Sequence, residues 1–108
     1  MNTLRNKVQL IGRLGNDPEI ITLEGGKKLA KFSLASNEHY KDKDGQKQTK
    51  TDWHNVVAWN KTAELIEQYV SKGKEIAIEG KLSTRSYEDK EGQKRYTTEV
   101  IVNELLLL

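Results

Sequence analysis

The side chains in this sequence with the clearest chemical potential are its aromatics and the cations beside them. Strand alternation along Asp52–Trp59 puts Trp53, Asn55, Val57 and Trp59 on one face and His54, Val56 and Ala58 on the other. Both tryptophans of the chain therefore share a face. Tyr87 has the parity of Lys81, Ser83 and Arg85, the polar side of its strand, and Tyr40 opens a lysine-rich stretch. An aromatic ring offers a base a stacking face for ~1–3 kcal/mol, whatever the base. Nearby Lys and Arg neutralise the phosphates that link those bases. Tyr40, Trp53, Trp59 and Tyr87 among cations are thus the chemistry needed to hold a bare nucleic-acid strand. The competing reading is packing, because large aromatics are mostly buried. Phe32 and Tyr69 lie on apolar stripes, and Tyr96 alternates with Thr98 and Val100, so these three are expected in the core.

Catalysis finds little footing. The absence of cysteine excludes disulfides, thiolate nucleophiles and cysteine zinc sites. His39 and His54 are the only histidines and stand at no metal-ligand spacing. Leu23–Lys27 lacks the spacing and the following Ser or Thr of a Walker loop. The acids are scattered among lysines. No catalytic residue, metal site or cofactor is expected, and the chain reads as a binding protein rather than an enzyme. A net charge of +2 is a faint electrostatic footprint, so position matters more than total. Lysines crowd Lys41–Lys50 and cations recur at Lys72, Lys74, Lys81, Arg85, Lys94 and Arg95.

The elements that must position these groups are mostly strands. Lys7–Leu14 alternates, with Val8, Leu10, Gly12 and Leu14 on one face. Gly15–Pro18 is a turn, Glu19–Leu23 resumes extended chain, and Glu24–Lys27 turns it back. Lys28–Ser36 carries Ala30, Phe32 and Leu34 inward. His39–Thr51 is polar, with Asp44-Gly45 at its centre, and reads as a long, mobile loop. Asp52–Trp59 is the third main strand. Asn60 fits a helix N-cap, Lys61–Lys72 has helical spacing, and Gly73 suits the position just past the helix end. Glu75–Tyr87 is a strand with Ile76, Ile78, Gly80 and Leu82 inward, Glu88–Gly92 is a turn, and Gln93–Asn103 is the last strand. No internal repeat or low-complexity linker is apparent. Residues 1–108 therefore read as one all-β domain: a five-stranded barrel of the OB-fold kind, with one helix between strands three and four. Gly12 and Gly80 mark the sharp bends such a barrel needs. No run reaches the ~18 apolar residues of a membrane span, and Met1–Asn6 lacks a leader's apolar core, so the chain is expected in the cytoplasm.

Asn6–Glu19, Asp52–Val57, Val70–Gly73, Ile78–Leu82 and Tyr96–Val100 together resemble the bacterial single-stranded DNA-binding proteins, in the order of that family and over nearly the whole chain. The resemblance implies an OB-fold that wraps single-stranded DNA, at the nucleoid, during DNA replication, repair and recombination. It matches Tyr40, Trp53, Trp59 and Tyr87 to stacking positions, two of them tyrosine where tryptophan is common. It matches Lys7, Lys43, Lys61, Lys72 and Arg85 to basic positions on the DNA path, and His54 to a subunit interface. Asn55 stands where some members carry a cation. The likeness departs at Leu105–Leu108: the acidic tip that recruits other proteins in many members is not expected here. The rival readings on the same barrel are an RNA-binding or primosome-associated protein and a purely structural module.

Assembly is expected as well. Ile11 lies opposite Val8, Leu10 and Leu14, and four exposed leucines at the end would invite association. The resemblance implies a homotetramer with the first strand at a dimer contact.

Overall fold

The computed structural model describes residues 3–108; Met1 and Asn2, the start of the stretch read for a leader, lie outside the described residues. Strand β1 runs Val8–Leu14, β2 Glu19–Thr22, β3 Lys28–Lys41, β4 Lys47–Trp59, helix α1 Asn60–Tyr69, β5 Glu75–Glu88 and β6 Lys94–Leu107. The strands form one sheet in the order β1-β5-β6-β4-β3-β2, and β1 also pairs with β3. That second pairing, Arg13 with Ala35 and Leu14 with Leu34, closes β1, β5, β6, β4 and β3 into a barrel and leaves β2 outside the ring. Counted along the whole chain, the helix follows the fourth strand rather than the third, because Glu19–Thr22 forms a ladder of its own with β3. Without that short strand, the helix falls between the third and fourth strands of the ring.

Closure depends on close backbone approach. A Cβ on Gly12 would run into the Ala35 carbonyl, and one on Gly80 into the Ile101 carbonyl. Both positions therefore lack room for any side chain. Inside sit Leu14, Leu34, Val56, Ile76 and Ile78, with Ala63 and Ile66 of α1 plugging one side. The inward sets expected on β1 and β3 match this core.

Several expectations are corrected. His39–Thr51 is not a loop: β3 and β4 stay paired out to Lys41 opposite Lys47, leaving only a short turn. Polar strands can ladder through backbone bonds alone, and side chains add to this, with Thr51 donating to Asn37 at 2.7 Å. Asn60 makes no N-cap bond and instead takes a left-handed φ of 54°, a conformation Asn tolerates. The helix stops at Tyr69, three residues before Lys72, and Gly73 lies in the following turn, where it donates to the Leu14 carbonyl at 2.9 Å. Tyr69 is 58% exposed, because only the narrow stripe through Ala63 and Ile66 meets the barrel. Leu82 and Tyr96 are also exposed, Tyr96 at 67%. Their alternation is right: Leu82 pairs with the buried Val100 and shares its face, at the rim where burial stops, and Tyr96 stands farther out, where β5 and β6 run on past the barrel wall. The last strand continues beyond Asn103 through Leu107.

The two long hairpins end alike. Tyr40–Lys47 recurs as Tyr87–Lys94, differing only at Lys41/Glu88 and Asp44/Glu91, so the chain does carry a short repeat. Asp42 N–H donates to the Gln46 carbonyl at 3.0 Å, and Asp89 N–H to the Gln93 carbonyl at 3.0 Å. Gly45 and Gly92 both have φ 77°. Strand-by-strand periodicity passes over this repeat because it straddles turns.

Candidate nucleic-acid interface

Cross-strand partners share a sheet face, so the ladder registers define one outer surface. On β3 and β4, Leu29 pairs with Trp59, Lys31 with Val57, Ser33 with Asn55 and Ala35 with Trp53. Val57 pairs with Ile101 of β6. On β5 and β6, Lys81 pairs with Ile101, Ser83 with Glu99, Arg85 with Thr97 and Tyr87 with Arg95. Trp53, Trp59, Arg85 and Tyr87 thus lie on one continuous face. Trp53 is 62% and Trp59 39% exposed, so neither fills the barrel. The packing reading of the tryptophans fails because their strand turns Val56 and Ala58 inward instead.

Between these rings runs a shallow cleft. One part, of about 280 Å³, is lined by Asn16, Lys31, Asn55, Arg85 and Glu99 among others. The adjoining part, of about 270 Å³, is lined by Trp59, Ser83 and Ile101 and shares Lys31, Val57, Arg85 and Glu99. Val57 and Leu29 are buried although they face outward, and they floor the cleft. Arg85 donates from Nε to Glu99 Oε1 at 3.0 Å. That bond orients the guanidinium and leaves its other nitrogens for an anion. Among the described residues the Arg85 side chain makes no other hydrogen bond within the protein.

Trp53 itself is seated by the Gly15 turn. A Cβ on Gly15 would run into the Trp53 ring. The turn is fixed by Gly15 N–H donating to the Ser33 carbonyl at 3.0 Å and by Ser33 N–H donating to Asn16 Oδ1 at 3.0 Å. Asp17 Oδ1 accepts from Lys72 N–H at 2.8 Å, tying the turn to the chain leaving α1.

The remaining expected residues are more dispersed. Tyr40 is exposed but pairs with Gln48, on the opposite face of the β3–β4 ribbon from Trp53. Lys43 sits in the exposed turn of that hairpin. Lys61 is exposed in the first turn of α1, and Lys72 is exposed beyond the other end of the helix. Lys7 precedes β1, with Nζ 3.4 Å from Glu79. His54 has inward parity and is half-buried, with Nε2 2.8 Å from Ser36 Oγ.

Lys31, Asn16 and Glu99 line the cleft without having been singled out in the sequence. Alternation against Ala30 and Phe32 turns Lys31 outward, but only register sets it opposite Val57. Among the described residues no cluster of three or more His, Asp or Glu could hold a metal ion. Among them, too, no helix is long and apolar enough to cross a membrane.

Residues 5–108 match the Single-strand binding protein family. The chain belongs to that family. A curated family relative, Single-stranded DNA-binding protein 1 of Chlorobaculum tepidum, is 46% identical over 104 residues, 95% of this chain. The chain spans 64% of that relative's length. A solved structure of a second relative, described as Plasmodium falciparum SSB complex with ssDNA, superposes with a TM-score of 0.87 at 38% identity. The match covers 100% of this chain and 99% of that one. Family membership therefore extends over both hairpins and the cleft between the tryptophans.

Proposed function

We propose that this chain binds single-stranded DNA without strong sequence preference and protects it during DNA replication, repair and recombination in the bacterial cytoplasm. The single observation that carries this reading is the outer face on which Trp53, Trp59 and Tyr87 expose their rings around Arg85 and Lys31. Rings take bases by stacking, and the cations take the linking phosphates. The ligand named for the Plasmodium relative supports the same reading. The barrel is read as an OB-fold, with its helix between the third and fourth ring strands. Tyr40 and Lys43 extend the path along one hairpin, and Lys7, Lys61 and Lys72 serve it as phosphate contacts. The chain acts by binding, with no reaction and no cofactor of its own.

Titration with poly-deoxythymidine, followed by tryptophan emission, tests this. Strong quenching is expected. Unchanged emission at saturating DNA would refute it, and tighter binding of an equal-length RNA would move the reading to an RNA-binding relative.

The reading includes a homotetramer. Among the described residues β1 is paired on its β3 side only at Arg13 and Leu14, so Val8–Gly12 offers an edge that none of them fills. Ile11 and Leu106 are exposed on the face that this edge continues. A second copy of β1 would satisfy the edge, and stacking of such dimers would cover the leucines. His54 belongs to this assembly surface. Sedimentation equilibrium at micromolar protein is expected to give a multiple of 12.3 kDa; a clean monomer would overturn it.

A further inference from the structure

The repeated hairpin tips contain carboxylates in a surface read as binding a polyanion. An acid there weakens binding by repulsion unless it does something else. Each tip uses its first Asp in the same way. Asp42 Oδ1 accepts from Asp44 N–H at 2.9 Å and Gln46 N–H at 3.0 Å, and its Oδ2 accepts from Gln48 Nε2 at 3.0 Å. Asp89 Oδ1 accepts from Glu91 N–H and Gln93 N–H, both at 2.9 Å, and its Oδ2 accepts from Arg95 Nε at 3.0 Å. In both tips the Asp is half-buried while its neighbours are exposed.

Turn chemistry accounts for Asp and Gly at these places. It does not account for the rest of the repeat. Tyr40 and Tyr87 stand two residues before the Asp, and Lys43 and Lys90 directly after it. Both tyrosines are exposed. Among the described residues no hydrogen bond or ion pair engages the side chain of Tyr40, Tyr87, Lys43 or Lys90. Each tip therefore repeats a ring and a cation that the turn itself leaves unused.

We propose that Asp42 and Asp89 are positioning residues for the bound strand, each rigidifying a tip so that Tyr40 with Lys43, or Tyr87 with Lys90, docks one base–phosphate unit, the two tips being equivalent. This rests on the single-stranded DNA reading and deepens it. A tip already ordered before the strand arrives loses less conformational freedom on binding.

The test is titration of the full chain with a deoxythymidine oligomer, read by the emission of the unaltered tryptophans across a salt series. Lys43→Ala and Lys90→Ala are each expected to reduce the salt slope by about 0.7, as one phosphate contact on a single strand would. Asp42→Ala and Asp89→Ala should weaken binding by roughly threefold to tenfold through lost preorganisation, although each removes a negative charge. Asp42→Asn and Asp89→Asn remove the same charge but keep an oxygen for the backbone donors, and should recover most of the affinity. Alanine variants that bind as tightly as the parent or tighter would overturn the positioning role. So would alanine and asparagine variants that behave alike. Unequal lysine effects would overturn the equivalence of the tips. A parent chain that fails to bind the oligomer would instead sink the single-stranded DNA reading, and this proposal with it.

Discussion

Trp53 owes its place to a residue with no side chain. Because a Cβ on Gly15 would enter the ring's space, Gly15→Ala should displace the indole while the barrel stays folded. Trp53→Ala should weaken single-stranded DNA binding by ~1–3 kcal/mol, the worth of one stacked base. Gly15→Ala should cost part of that, with an unchanged melting transition by circular dichroism; full affinity in Gly15→Ala would contradict the seating argument. Arg85 makes a second residue-scale case. It is half-exposed beside a largely buried Glu99, so their pair adds little to stability. Arg85→Ala should therefore leave the melting transition nearly unchanged and reduce the salt slope of binding by ~0.7. A drop in melting temperature with an unaltered slope would make the pair structural. Tyr69 and Tyr96 explain why residue type misleads at this scale. Both have the parity or spacing of core residues, yet no apolar layer lies behind them.

At the scale of elements, the hairpins beyond the barrel are held by ladders and capped turns rather than by burial. The backbone N–H of Gln46, then the side chain of Gln48, hold the Asp42 carboxyl below its ordinary value. The Arg95 side chain, then the Gln93 N–H, do the same for Asp89. A lowered folded value means the ionised form is the one the fold prefers. That stabilisation is complete above the ordinary carboxylate range near ~4 and fades as pH falls through the lowered values. Amide chemical shifts of Gly45, Gln46, Gly92 and Gln93 should therefore hold steady from neutral pH to about pH 4 and move together in stronger acid. Asp42→Asn should abolish the movement at its own tip alone. Movement of these amides between pH 7 and 5 would point to another titrating group. The polar composition of residues 39–51 suggests a loop because burial is the signal periodicity detects, and this ribbon buries almost nothing.

For the whole molecule, the open edge of β1 and the exposed Ile11 make assembly the property to test. Ile11 is 62% exposed in the single chain, so Ile11→Asp should cost an isolated barrel little. In a tetramer the same change would place charges in an apolar interface. Sedimentation equilibrium should then show the variant dissociating at concentrations where the parent remains associated; equal masses would remove this face from the interface. Duplex DNA of the same sequence should bind far more weakly than single strands, because its bases already stack on each other. Equal affinity would contradict stacking as the source of binding.

Alternation by itself determined which way Val8, Phe32, Val56 and Ile78 point, because inside and outside differ by one residue along a strand. It also put both tryptophans on one face, and the family motifs were legible in order along the chain. Register lies beyond such local patterns. Only the pairing of Val57 with Ile101 and of Arg85 with Thr97 joins Trp59, Arg85 and Tyr87 into one surface, and only the β1–β3 closure makes Gly12 indispensable. The same ladders separate Tyr40 from Trp53, although both are exposed aromatics beside cations. How far each strand runs past the barrel was likewise a tertiary matter. The end of the core, which no residue in β5 or β6 announces, decided that Leu82 and Tyr96 are exposed while Val100, on the same face, is buried.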